Sequence, residues 1–345
     1  MLEENSMKKT KNIMAFVLIV AVLFGTLAMF VGCAEPTQSI KTKEELVSFM
    51  TEGSDTKLLL ENDIELDTEG QVFSMQKNFR LDLNNKTLTV RATAGVEIAE
   101  DAELKMTNGT INFVDVPNGR SAINLLGGLE LDGVKMSAQT GSLILPRKGS
   151  TLTIKNSEIT GQTYAVSTNA NTAVATDAPS TINISHSKLT ATSDSGNNGD
   201  DCAFMINIPA NVMVENSEIV GDRQSMIVRG GNVTVKNTTI TNNATYANKT
   251  QYLSAKWGSG NEVPMAGIVV GNRHAQGVAQ TAYQYKSNLT LQNVTFDVEN
   301  GNGSNIPDVY AYANENADYG VEIMRDSLSY NIVNGSNANV EINAL

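Results

Sequence analysis

Two adjacent aspartates, Asp200 and Asp201, stand just before an apolar run that begins at Cys202, and they are the sharpest group of chemistry-bearing residues in the chain. A little further on come Asp222, Arg223 and Arg229. Asp200, Asp201 and Asp222 could supply oxygens to a Ca2+ ion, which takes roughly six to eight of them. Arg223 or Arg229 would then be the basic partner. The bland reading is that a pair of aspartates in a polar loop is a solvated turn, and the spacing alone sets no mutual geometry. A second set is aromatic: Tyr164, Tyr246, Tyr252, Trp257, Tyr283 and Tyr285, most of them in polar stretches. Such rings can stack on sugars through a flat apolar face with a polar rim, or pack down to anchor their own loops. Histidine chemistry has little to draw on, with His186 and His274 alone. No nucleophile triad, phosphate loop or Cys/His zinc spacing is visible.

What must position these residues is a repeat. The pattern is apolar-x-apolar-x-Asn-x-x-apolar, and its turn residues are Asn85, Asn108, Gly133, Asn156, His186, Asn216, Asn237 and Asn293. Successive spacings are 23, 25, 23, 30, 30, 21 and 56 residues. Alternating apolar residues describe a strand with one buried face. Asn tolerates a left-handed backbone and can bond nearby backbone groups, and Gly meets no penalty there. His186 in the same slot therefore reads as structural. A unit of about 23 residues makes one coil of three short strands, stacked in parallel about 4.8 Å from the next. A tandem β-sandwich would need a period near 100 residues and a propeller blade about 40. The Asn-x-Ser/Thr matches at Asn85, Asn108, Asn237 and Asn293 follow from the turn rather than from glycosylation.

This pattern resembles the pectin-lyase-like superfamily, and the resemblance runs from about Lys57 to the C-terminus. It implies an all-β chain folded as a right-handed parallel β-helix, with the Asn turns similar to that superfamily's asparagine ladder. About ten coils would form one elongated domain over residues 42–345, about 45 Å long at the strand spacing. The resemblance also places polysaccharide clefts on one strand face. Gly199-Asp200-Asp201 is similar to the Gly-Asp-Asp segment of polygalacturonase-type hydrolases, whose carboxylates do acid and base work across the scissile bond. That family's Asn-Thr-Asp, Gly-His-Gly and Arg-Ile-Lys segments are missing here, where TYAVST precedes and SMIVRG follows; His274 sits in Asn272-Arg273-His274 and does not reproduce the motif. A pectate-lyase reading would bring Ca2+ as its cofactor, and that family's local signatures are absent too.

At the N-terminus, Met7-Lys8-Lys9-Thr10-Lys11 is a basic start and Ile13 to Phe30 an apolar run, which reads as a secretory signal over residues 1–32. The run is also just long enough for a transmembrane anchor. Its Val31-Gly32-Cys33 ending resembles a bacterial lipobox, with Cys33 as the lipidated residue, although Phe30 stands where Leu is usual. Several acyl chains on one Cys would anchor it stably to a membrane. Residues 33–41 read as a linker. Thr42-Lys43-Glu44-Glu45 reads as a capping box for a helix from Glu44 to about Met50, with Leu46, Phe49 and Met50 inward, covering the first coil's open edge. Cys202, the one other cysteine, reads as a packed thiol. Val309 to Leu345 reads as irregular, forming the last coils and a cap.

The formal net charge of −12 argues against nucleic acid as a partner. Insertions at Ser193–Asp201, Asn243–Pro264 and Glu299–Pro307, and at Asn169–Pro179 and Asn272–Ser287, flank the same strand of each coil. Long loops on one side of a rigid stack build a groove. Tyr164, Tyr252, Trp257, Tyr283 and Tyr285 are its candidate ligand-binding residues; Asp200, Asp201, Arg223 and Arg229 are the catalytic ones if it is an enzyme. The leading reading is an extracytoplasmic, lipid-anchored β-helix on a bacterial surface that binds a polysaccharide or a surface protein without catalysis and without a cofactor. The alternative is a polysaccharide lyase or glycoside hydrolase acting on acidic glycans. A third reading is a spacer without ligand.

Overall fold

The computed structural model describes residues 37–54, 56–117, 119–168, 177–192, 202–243, 265–271, 286–298, 306–313, 320–335 and 339–345. The chain divides into Met1–Gln38, of which Thr37 and Gln38 are described, and Ser39–Leu345. The second unit is a parallel β-helix, as the repeat predicts.

Each coil runs through three strands. Strands before the Asn corner, such as Thr151–Lys155, Ser180–Ser185, Ala210–Glu215 and Gly231–Lys236, form the first face. Strands after it, such as Glu158–Gly161, Lys188–Ala191 and Glu218–Gly221, form the second. Two strands, Glu103–Val114 and Gly128–Ala138, run unbroken through the corner and merge both faces into one 19-stranded sheet. The third face is a separate sheet of ten strands, in line with the ten coils read from the repeat.

Identical positions stack, so each repeat supplies its neighbour's core. On the first face the register joins Leu104, Leu129, Leu152, Ile182, Val212, Val233, Leu289 and Ile323 into one inward column. On the second face Ile111, Met136, Ile159, Leu189, Ile219, Ile240 and Phe296 do the same. Burying one such aliphatic side chain stabilises by about 1.5–3 kcal/mol, and every coil contributes several.

All eight corner residues lie in the left-handed region, from φ 47° at Asn237 to φ 67° at Gly133. The asparagine ladder is continuous at one end: Asn237 donates to Asn216 at 3.3 Å and Asn293 to Asn237 at 2.9 Å. Elsewhere it takes a different partner. Above Gly133 there is no amide to meet, so Asn156 donates to Asp132 at 2.8 Å. Asn84 and Asn85 are both left-handed, which lengthens the first corner, and Asn108 donates to Asp82 at 3.3 Å.

Beside the amides runs a second ladder, built from the residue after each corner. Ser157 Oγ accepts from the Val134 N–H at 3.0 Å, Ser187 Oγ from Ser157 at 3.1 Å and Ser217 Oγ from Ser187 at 3.2 Å. Ser187 and Ser217 each donate to the carbonyl two residues back, both at 2.7 Å. Ser157 and Ser187 are buried, so these hydroxyls satisfy N–H groups that water cannot reach.

The ends are closed unequally. Helix α1, Lys43–Glu52, carries the expected capping box, with the Glu45 N–H donating to Thr42 Oγ1 at 3.3 Å; Leu46 and Met50 are buried and Phe49 packs on the core. The C-terminal part is more regular than its sequence suggests. Strands Val309–Ala311, Val321–Arg325, Ile332–Asn334 and Val340–Ala344 continue the stack. The motif is hidden there because the ladder ends on Asp326, one residue before the corner position: its carboxylate accepts from the Asn293 N–H at 2.6 Å and from the Tyr330 hydroxyl at 3.0 Å. The Tyr330 ring meets Phe296 edge-on, with centroids 5.7 Å apart. Among the described residues no helix is long and apolar enough to cross a membrane.

Ser187→Ala should cost about 1–3 kcal/mol in urea unfolding, since it strands the buried Ser157 N–H; a change under about 0.5 kcal/mol would show the hydroxyl ladder to be idle. Asp82 gives a pH prediction. Burial raises its pKa, but hydrogen bonds from Lys57, Asn84 and Asn108 outweigh this and hold it below the usual carboxylate value. A depressed folded-state pKa stabilises above the unfolded value, near 3.9, and that contribution disappears as pH falls through the folded value. Stability measured from pH 6 downward should therefore drop below about pH 4, and Asp82→Asn should make the drop shallower.

Candidate ligand-binding face

The third face is where the lengthened loops begin and end, and its strands alternate cleanly once the register is known. Phe73, Val96, Ile123, Ile144, Val166, Phe204, Met226, Ile268 and Val309 point into the core. The outward positions between them change character along the stack. Ser74, Glu97 and Asn124 come first, and Met205, Ile227, Val269 and Tyr310 follow in the later coils. Of the runs whose facing the sequence left open, SMIVRG thus points Ile227 outward and AGIVVG points Val269 outward.

In the earlier coils this face carries a groove of about 460 Å³ that runs from Val72 to Ser167 across five coils. Glu97, Arg120, Asn124, Arg147 and Tyr164 line it, with Ser142, Thr163 and Ser167 between them. Its polar groups orient one another. Asn124 Nδ2 donates to Glu97 Oε2 at 2.8 Å, Arg147 Nε donates to Asn124 Oδ1 at 2.6 Å, and the Ser142 and Thr163 hydroxyls share a bond of 2.9 Å. Half-burial pushes the Arg147 guanidinium down from its ordinary pKa, and the Glu97 carboxylate pulls it back up. Two guanidiniums against one carboxylate leave the groove cationic in an acidic chain. A larger cavity of about 620 Å³ lies on the first face. It is a polar surface on which Lys105 pairs with Glu130 at 3.0 Å, and its one aromatic, Phe79, is buried in the core.

The later coils look different. Met205, Ile227, Val269, Tyr164, Cys202, Ala266 and Tyr312 form a second apolar cluster on the outer side of the sheet. Cys202 is thus a packed thiol, as its surroundings in the sequence imply. Arg223 and Arg229, at the two ends of strand Gln224–Val228, are each 0% exposed. They do not sit together in an open cleft. Asp222, next to Arg223, is partly exposed. Tyr164 borders the groove but is 5% exposed, so it offers an edge rather than a face. Asp200, Asp201, Tyr246, Tyr252, Trp257, Tyr283, Tyr285, His274 and Cys33 lie outside the described residues.

No protein-family model matches this chain, and no curated protein does. Among solved structures, an alginate lyase from Paenibacillus sp. str. FPU-7 aligns over 88% of this chain and 99% of its own, at 13% identity and a TM-score of 0.38. A likeness that distant carries no argument about chemistry. The fold rests on the strand pairing itself, and the site rests on its own geometry.

Glu97, Arg120, Asn124 and Arg147 were not singled out from the sequence. Glu97 and Asn124 fall inside strands Val96–Ile98 and Ser121–Leu125, where a polar residue reads as an ordinary outward position. One cue was there to use: VEI and INL align Glu97 with Asn124 once the corner residues are stacked. Tyr164→Ala tests whether that ring is structural. Its burial predicts a loss of about 3 kcal/mol in denaturant unfolding, whereas a tyrosine held out for a ligand should cost less than about 0.5 kcal/mol.

Proposed function

We propose that this chain is a β-helix binding module that holds a glycan in the groove of its third face. The observation that carries the reading is the groove: about 460 Å³, on a rigid sheet, lined by mutually oriented Glu97, Asn124 and Arg147. Pre-oriented amide, guanidinium and carboxylate groups suit sugar hydroxyls, because little side-chain freedom remains to be lost on binding. The surplus of guanidinium favours glycans that carry carboxylates. Signal-like residues 1–32 and Cys33 support an extracytoplasmic, lipid-anchored setting on a bacterial surface. The pectin-lyase-like resemblance supports a polysaccharide partner rather than a protein one.

The lyase and hydrolase readings share this ligand and differ in chemistry. The lyase reading would need Arg223 or Arg229 to meet substrate, and both side chains are buried; the hydrolase reading rests on Asp200 and Asp201, which lie outside the described residues. The test pairs a glycan array with an assay for new unsaturated or reducing ends on polyuronates, with and without Ca2+. Array binding with no product is expected. Arg147→Ala and Asn124→Ala should each weaken that binding by about tenfold, the equivalent of about 1.4 kcal/mol. New chain ends would overturn the non-catalytic reading, and an empty array would overturn glycan binding itself.

A further inference from the structure

We propose that the later coils of the third face hold a bound carboxylate-class monoanion on the buried guanidinium of Arg229, beside the hydroxyl of Tyr312. The site stands apart from the groove and does not depend on the glycan reading. Arg229 follows the end of strand Gln224–Val228 and is fully buried. Its Nε donates to Asn207 Oδ1 at 2.8 Å. Nη2 reaches the Met205 thioether at 3.8 Å, a weak acceptor. Nη1 has no hydrogen-bond partner, and no carboxylate among the described residues pairs with this cation.

A guanidinium cannot shed its proton to escape burial. Left without a counter-charge among Met205, Ile227 and Val269, it would be heavily penalised, because buried charges survive by being paired. Arg147, its counterpart near the groove, has both solvent and Glu97 to relieve it. Arg229 has neither.

The second donor is Tyr312. It is fixed in place, since its ring lies against Gly271, where any Cβ would run into it. Its hydroxyl makes no hydrogen bond of full geometry, and the group that it faces is the Arg229 guanidinium. Burial pushes the phenol up from its ordinary pKa, while the charge of Arg229 and a hydrogen bond with it draw the phenol down, which places the two groups side by side. Nη1 and the phenol O–H are two neighbouring donors, which suits the two oxygens of a carboxylate. One cation balances one negative charge, so a dianion would leave net charge buried in an apolar cluster.

The test uses crystals of the full chain soaked in sodium bromide, with bromide as a monoanion probe. An anomalous peak within about 3.5 Å of Arg229 Nη1 is expected at hydrogen-bonding distance. Thermal unfolding is then followed in sodium acetate, in sodium galacturonate oligomers and in neutral galactose, at constant ionic strength. The wild-type midpoint should rise by about 3 °C or more with a saturating carboxylate and be unmoved by galactose. Arg229→Met should abolish the response. A rise with acetate points to a free acid, and a rise with the oligomers alone points to a polymer-borne carboxylate; either supports the site. Absence of both the peak and the shift would overturn it, as would the same shift in Arg229→Met. So would density showing one of the chain's own carboxylates on Nη1. Should Arg229→Met fail to fold, the bromide map decides.

Discussion

The whole stack depends on a single constraint, the left-handed corner between the first and second faces. A parallel pair of strands has no hairpin to set its register. Here the corner does that work. Gly and Asn take φ near 50° at low cost, and each of these corners is Asn, Gly or His. The corner reverses the side-chain direction at one place per coil, so the apolar residues on either side stay inward. Neighbouring corners then recognise each other through side-chain amides and buried hydroxyls, as in the bonds from Asn237 to Asn216 and from the Ser157 N–H to Ser187. Slipping one coil by a residue would break both ladders and expose the adjacent inward column.

The third face has no such corner and bears the variation. It is pinned on its inner side by the column from Phe73 to Val309, which leaves its outer side free to differ between coils. In the earlier coils that freedom appears as hydrogen-bonded polar groups around a groove, and in the later coils as an apolar cluster enclosing a guanidinium. The two halves of one sheet therefore offer two electrostatic environments. The groove screens its charges with solvent, and the cluster magnifies Arg229 by excluding it.

The sequence was most legible where a residue type has one physical use. Asn156 or Gly133 at a fixed offset from two alternating aliphatics can hardly be anything but a left-handed turn, and helix α1 was readable from Thr42 and Glu45 because a capping box is a local structure. It was less legible where a residue has several uses. Ser157 and Ser217 were not singled out, yet their hydroxyls satisfy backbone groups of the preceding coil. Asp326 was passed over because a carboxylate one residue before the corner caps the ladder rather than continuing it. Arg223 and Arg229 looked like surface chemistry, since arginine is rarely buried, and the structure buries both.

The sequence by itself determined the coil: its period, its inward residues, its corners and its N-terminal cap, all of which follow from periodicity and backbone preference within about ten residues. Only the tertiary structure decided which polar residues meet. Glu97, Asn124 and Arg147 belong to three successive coils and touch because stacking brings them into one column. Asn207, Arg229 and Tyr312 meet for the same reason. The contacts that make a site in a solenoid run across the repeat, and no local pattern along the chain records them.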